Sequence, residues 1–178
     1  MGTTRRALAR AVVCVGLPLG LATCASRPGW NHLGGEPVAE AGVYEAVVRY
    51  VHAYYDAPDW NASPAAWCLA TGRRASSVAR GRVGEDRSAW APTPRLLSSL
   101  NDLTPPVRRI DDCATDDGDE RLLDSGERAV VMAIEHPAWE SPQFARLLVY
   151  TRQDPRASNR FSCRVARTTE GWRVQECI

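Results

Sequence analysis

Six cysteines punctuate the sequence, and four of them, Cys68, Cys113, Cys163 and Cys177, fall in its body. Thiols can hold a metal, act as nucleophiles or oxidise in pairs. A metal centre asks for closely spaced ligands such as Cys-x-x-Cys, and no such pair occurs, so no metal site is expected. An even set of cysteines in an exported chain reads as two disulfides, with three connectivities open. The second chemistry-bearing group is a stripe, Glu45, Arg49, His52 and Asp56, at i, i+4, i+7 and i+11. On a helix these residues share one side. His52 and Asp56, four apart, have the spacing of an acid/base pair that could exchange protons with a substrate. The plainer account of four polar residues along a helix is a solvated face. The other histidines, His32 among Gly and Asn and His136 before Pro137, read as exposed or structural.

The acidic run from Asp111 to Glu120 has the composition of a calcium loop. Such loops place oxygen ligands on alternate positions ahead of a Gly. Counting back from Gly118 gives Asp117, Thr115 and Cys113, whose thiol is the wrong ligand, so an acidic, solvated hairpin loop is expected. Between Gly72 and Pro94 stand Arg73, Arg74, Arg80, Arg82 and Arg87, diluted by Glu85 and Asp86 and without a Gly-rich phosphate motif. That stretch reads as a long surface loop rather than a nucleic-acid or phosphate site. No Gly-x-Ser-x-Gly elbow, His-Glu-x-x-His motif or dinucleotide loop occurs, and no cofactor is expected.

The N-terminus belongs to another kind of segment. Arg5, Arg6 and Arg10 precede an apolar run from Ala11 to Leu21, too short to span a bilayer and suited to a signal-peptide core. Leu21-Ala22-Thr23-Cys24 resembles the lipobox of bacterial lipoproteins, in which the cysteine becomes the acylated N-terminus. Thr4-Arg5-Arg6-Ala7-Leu8 resembles a twin-arginine signal. The expected organisation is a signal peptide over residues 1–23, a flexible tether over 24–36 after lipidated Cys24, and a single domain over 37–178. Cleavage removes Cys14 and three arginines but no acid, so the formal charge of +1 turns slightly negative. That balance argues against binding nucleic acid. The expected location is the bacterial cell envelope, anchored through lipid at Cys24, or the medium as a secreted protein if no lipid is added.

Within the domain, Pro37 opens a helix whose apolar stripe is Tyr44, Val47, Val48, Val51 and Tyr55. Pro58 ends it. Trp67 to Ala70 is a buried strand or helical turn, Arg95 to Leu103 a short helix stopped by Pro105 and Pro106, and Val107 to Cys113 a strand. Four further runs follow, 129–135, 143–152, 160–167 and 172–177, rich in β-branched and aromatic residues and separated by Glu140-Ser-Pro142, Asp154-Pro155 and Glu170-Gly171. Connections this short favour neighbouring antiparallel strands. Phe161, Cys163 and Val165 alternate with Arg160, Ser162, Arg164 and Ala166, the pattern of a sheet covered on one face, with the long helix as cover. A three-residue loop at Thr169-Glu170-Gly171 would set Thr168 opposite Trp172 and Cys163 opposite Cys177. That register favours a Cys163–Cys177 bridge and leaves Cys68 with Cys113.

The resulting fold class is α+β: a long N-terminal helix packed on a curved antiparallel β-sheet, in a cone or roll. This order resembles the nuclear transport factor two-like superfamily, with the cystatin-like roll as its neighbour. Trp67-Cys68-Leu69-Ala70-Thr71-Gly72, Leu96-Leu97, Pro105-Pro106-Val107-Arg108, Cys113 and Gly171-Trp172-Arg173-Val174 look like a group of small bacterial exported, lipoprotein-type proteins without an assigned activity. That likeness covers roughly residues 40–178. The superfamily resemblance implies a small hydrophobic ligand in the cone, isomerase or dehydratase chemistry there, or protein contacts. The expectation is a non-enzymatic, envelope-anchored domain that binds a small apolar ligand or a partner protein on the concave face, near Trp67, Trp90 and Trp139. The alternatives are an isomerase or dehydratase using His52 and Asp56, and a structural envelope protein.

Overall fold

The computed structural model describes residues 38–55, 63–80 and 87–178, the side chains of Val38 and Tyr55 excepted. The expected signal peptide, Cys24, the tether and Asp56 lie outside these residues. The first element, helix α1 (Val38–Tyr55), carries Glu40 in its first turn, where a carboxylate favours the helix dipole. Its Val43, Tyr44, Val47, Val48 and Val51 are buried, as the apolar stripe requires.

The strands are β1 (Ala66–Thr71), β2 (Val107–Arg109), β3 (Cys113–Asp116), β4 (Asp119–Leu122), β5 (Ala129–Ile134), β6 (Ala138–Ser141), β7 (Phe144–Arg152), β8 (Ser158–Thr168) and β9 (Gly171–Cys177). The main sheet runs β2-β1-β5-β7-β8-β9, with β6 also paired to β7, while β3 and β4 form a separate hairpin. The four C-terminal runs are thus strands and antiparallel neighbours. The expectation of a wholly antiparallel sheet fails at β1, which is parallel to both β2 and β5. The physical cause is the long chain that leaves β1. Parallel pairing needs a crossover of a dozen or more residues, and the segments from β1 to β2 and to β5 supply one.

β1 and β5 are buried at every position. Their continuous apolar runs, rather than alternating ones, belong to strands covered on both faces. On one face, Trp67, Leu69, Val130 and Met132 meet α1 and a short helix, α3 (Pro94–Ser99). Thr93 caps α3 through its hydroxyl oxygen, which accepts from Leu96 N at 3.3 Å, and Pro94 occupies its first turn. On the other face, Ala66, Cys68, Ala70, Ala129 and Ala133 meet helix α2 (Ser76–Ala79), Ile110, Cys113 and Leu122. The alanines leave room for α2 to lie close. The expected surface loop therefore begins as a buried turn, with Ala75, Val78 and Ala79 in this second core. One-sided covering holds only toward β8 and β9: in β8 buried Cys163 and Val165 alternate with half-buried Ser162 and Arg164, and in β9 half-buried Trp172 and Val174 alternate with exposed Gly171, Arg173 and Gln175. The expected strand over 107–113 is also broken, by a 3₁₀ turn at Ile110–Asp112.

α1 lies chiefly against β9 and makes a close approach there: a Cβ on Gly42 would sit 2.8 Å from Trp172 Cδ1. Trp172 in turn meets Trp139 edge-on, ring centroids 5.5 Å apart. Fully burying a Val side chain stabilises by about 1.5–3 kcal/mol. Exposed ion pairs are worth about 0–1 kcal/mol each. The valines of α1, rather than its charges, therefore hold the helix down.

Both expected disulfides are present, Cys68–Cys113 and Cys163–Cys177. The second forms by a different route from the one the turn implied. Thr168 pairs with Gly171 and Arg167 with Trp172, so the turn contains two residues, Thr169 and Glu170. That register continues to Val165 opposite Val174, then shifts, and Arg164 faces Glu176. Gln175 is the extra residue of a β-bulge. Without the bulge, alternation from Trp172 and Val174 would bring Glu176 to the helix face. The bulge turns Glu176 outward and brings Cys177 opposite Cys163.

Removing the Cys68–Cys113 bridge, which closes a separation of 45 residues, is expected to cost about 4 kcal/mol. Removing Cys163–Cys177, with a separation of 14, is expected to cost about 3 kcal/mol. Urea unfolding of the two double-Ala variants would expose an error as a reversed order. Deleting Gln175 should leave no free thiol, because the unbulged ladder brings the same cysteines face to face. Two titratable thiols after the deletion would show that the bulge itself is required for pairing.

Candidate functional site

Glu120 on β4 is 0% exposed, which makes it the most deeply buried carboxylate among the described residues. Such a charge survives burial only with partners. The β3–β4 register sets Thr115 opposite it, and the Thr115 hydroxyl donates to Glu120 Oε1 at 2.9 Å. The hairpin itself follows from Asp117-Gly118, both at positive φ, the geometry that an Asp-Gly pair favours in a two-residue turn. Two guanidiniums close the cluster. Arg87 Nη1 donates to Glu120 Oε2 at 3.3 Å and to Cys113 O at 3.1 Å, while Arg87 Nη2 donates to Thr115 Oγ1 at 2.7 Å. Arg152 Nη1 lies 3.7 Å from Glu120 Oε1, and Arg152 Nη2 donates to Gly118 O at 3.0 Å. Arg152 Nε is buried and has no hydrogen-bond acceptor. One buried guanidinium and one partly buried guanidinium therefore share one carboxylate.

Arg152, only 7% exposed, also forms part of the wall of the largest described groove, about 710 Å³. This groove lies beside α2 and the adjoining ends of β7 and β8, lined also by Arg80, Tyr150, Ser158, Asn159 and Arg160. The Arg160 guanidinium sits 5.6 Å from the centre of the Tyr150 ring, a cation–π contact. Arg80 is held at the end of α2: its Nη2 donates to Ser76 Oγ at 2.9 Å, and the Ser76 hydroxyl donates to Glu135 Oε1. The arrangement has the size of a small-molecule site, with convergent donors and a single aromatic wall.

No family model, no curated protein and no solved structure matches the chain.

The residues singled out in the sequence are dispersed. His52, expected on a solvated face, is 4% exposed. Its Nε2 donates to Pro105 O at 2.9 Å, and its ring lies 5.5 Å from that of Trp67. The cause is the chain from Ser99 to Pro105, which packs over that side of α1. Arg49 meets the same segment, donating to Ser99 O and to both carboxylate oxygens of Asp102 at 2.9 Å. This fork holds the Asp102 carboxyl below the usual carboxylate range. The stripe is thus largely an interface with the α3 segment. Of the tryptophans, Trp67 and Trp139 pack with the core beneath α1 and Trp90 with the opposite core, so the three do not converge. His136, read from the sequence as exposed or structural, has its Nε2 3.2 Å from Oε1 of buried Glu40.

The acidic run forms the expected hairpin, and several of its carboxylates face the chain's own arginines. Arg109 donates to both oxygens of Asp111 at 2.8 and 2.7 Å, which lowers the Asp111 pKa. Asp119 lies within ion-pair distance of Arg121 and Arg128. No group of three or more metal-ligating side chains occurs among the described residues. Glu120 ended the acidic run, but nothing local distinguished it from the exposed acids beside it.

Glu120→Ala should destabilise by about 3–5 kcal/mol, because it leaves buried Arg152 and partly buried Arg87 without their carboxylate. Chemical unfolding decides it: a loss below about 1 kcal/mol, the scale of an exposed pair, would reduce the cluster to a surface feature.

Proposed function

We propose that the chain is an exported, envelope-anchored binding domain whose ligand occupies the groove beside α2. The single observation that carries this reading is the contrast between the two faces of the sheet. Beneath α1 the space is largely filled by Trp67, Leu69, Met132, Leu147 and their neighbours, and the described pocket on that side, between Tyr50, Val51, Tyr54, Phe161 and Cys177, holds only about 60 Å³. The opposite side holds an open groove whose wall joins a buried charge cluster. This moves the expected ligand site away from the face under the long helix.

The two disulfides point to an oxidising, extracytoplasmic compartment. In this reading residues 1–23 act as a signal peptide and Cys24 carries the lipid that ties the domain to the membrane. Among the described residues no helix is long and apolar enough to cross a membrane. The curved roll of the nuclear transport factor two-like kind, and kinship with small bacterial exported proteins, remain part of the proposal. The helix-first order and mostly antiparallel sheet support them. Acid/base chemistry by His52 and Asp56 has weaker support, since the His52 Nε2 proton is already committed to the Pro105 carbonyl. A structural envelope role or a partner protein would leave the groove without an occupant.

Native mass spectrometry of the exported chain, released from membranes in mild detergent, tests the reading. The expected spectrum shows an acylated Cys24 and a retained small molecule that disappears in Ser158→Trp, where an indole fills the groove. An unlipidated chain would remove the anchor. Retention of the same molecule by Ser158→Trp would remove the groove as its site.

A further inference from the structure

We infer that the groove selects organic anions, molecules bearing a carboxylate or phosphate on an apolar body; the inference rests on the reading of the groove as a ligand site. Three guanidiniums, those of Arg80, Arg152 and Arg160, line it, and among the described residues no acid does. Among the described residues Glu120 is the one carboxylate within ion-pair distance of Arg152, and it is shared with Arg87. The cluster behind the wall thus retains one positive charge. Among the described residues, neither Arg80 nor Arg160 has a carboxylate within ion-pair distance, although twelve such contacts to other arginines are formed elsewhere or in the cluster. Other described arginines, Arg73, Arg74, Arg95, Arg156 and Arg167, also lack an ion pair; what sets Arg80 and Arg160 apart is that they line one groove together with Arg152, and that convergence marks a place for an anion from outside.

The chemistry narrows further. Guanidinium forks match carboxylate and phosphate oxygens in two-point geometry. A concave wall of one sign concentrates counter-charged solutes. Ser158 and Asn159 add neutral donors, and the Tyr150 ring with Pro155 offers apolar surface for the remainder of the ligand. Inorganic phosphate would leave most of a groove of about 710 Å³ empty. An aromatic or aliphatic oxyanion fits both the charge and the size, whether it comes as a soluble metabolite or as a lipid headgroup.

Titration calorimetry on the exported full chain tests this with four probes: phenyl phosphate, benzoate, the neutral benzyl alcohol and soluble short-chain phosphatidylglycerol. The expected result is saturable binding of the anions, weakened by added sodium chloride. In Arg80→Gln/Arg160→Gln the affinity should fall at least about tenfold, the loss of charge-assisted hydrogen bonds. Arg173→Gln, on distant β9, should bind as the parent does. Tighter binding of phenyl phosphate assigns a soluble ligand, and tighter binding of the phosphatidylglycerol a lipid headgroup; either supports the inference. Benzyl alcohol binding as tightly as the anions, or salt-insensitive anion binding unchanged in the double variant, overturns it. In that case loss of binding in Ser158→Trp shows that the groove is still the site. No binding sensitive to Ser158→Trp with any probe overturns the anion inference and the groove reading together. Equal urea midpoints confirm that the variants compared are folded.

Discussion

β1 is hydrogen-bonded to strands along both edges and covered on both faces, and the rest of the molecule is arranged by that confinement. A six-residue segment, Ala66 to Thr71, can be enclosed in this way only if its side chains are apolar or small and its backbone polar groups are taken up by neighbouring strands. Trp67 and Leu69 project to the α1 side, whereas Ala66, Cys68 and Ala70 project to the α2 side. The large residues build a deep core and the small ones admit α2 at close range. Cys68 then links this central strand to Cys113 at the start of the β3–β4 hairpin, covalently fixing the second layer to the first.

That second layer is where the polar chemistry collects. Once β3–β4 is held against the sheet, Glu120 is removed from water and must be neutralised. Arg87 approaches from the segment before α3, and Arg152 from the end of β7. Burial of an ion cluster is poor evidence for stability, because desolvation offsets much of the Coulomb attraction. It does specify geometry. The hairpin, β7 and the end of α2 are placed relative to one another by hydrogen bonds, including those from Arg152 to Gly118 O and Ala79 O. A groove beside such a cluster inherits rigid walls, which lowers the ordering cost of binding.

The α1 layer follows a different rule. Its hold on the sheet comes from the valine stripe, while its polar side is covered by the chain that leaves α3. Arg49 and His52 supply hydrogen bonds to backbone carbonyls at Ser99 and Pro105 that would otherwise lose their water partners. Polar residues on a helix face therefore do not define a solvent face here. They define a face that meets irregular backbone rather than another apolar surface.

The sequence by itself determined the elements whose causes are local. Valine spacing specified α1 and its buried side, the leucines before Pro105-Pro106 marked a short helix over 95–103 that the structure forms at Pro94–Ser99, the acidic run made a hairpin, and strand alternation assigned Cys163 and Val165 to the core. The Cys163–Cys177 pairing was also legible, although the three-residue turn inferred for it was wrong by one residue, an error cancelled by the bulge at Gln175. Tertiary structure alone decided the parallel placement of β1, the burial of His52, the cluster around Glu120 and the groove with its three arginines. Periodicity reports which way a side chain points along one element. It carries no information on which distant segment will cover that side. Arg87, Glu120 and Arg152 lie far apart in the chain and meet because crossovers from β1 stack a second layer on the sheet.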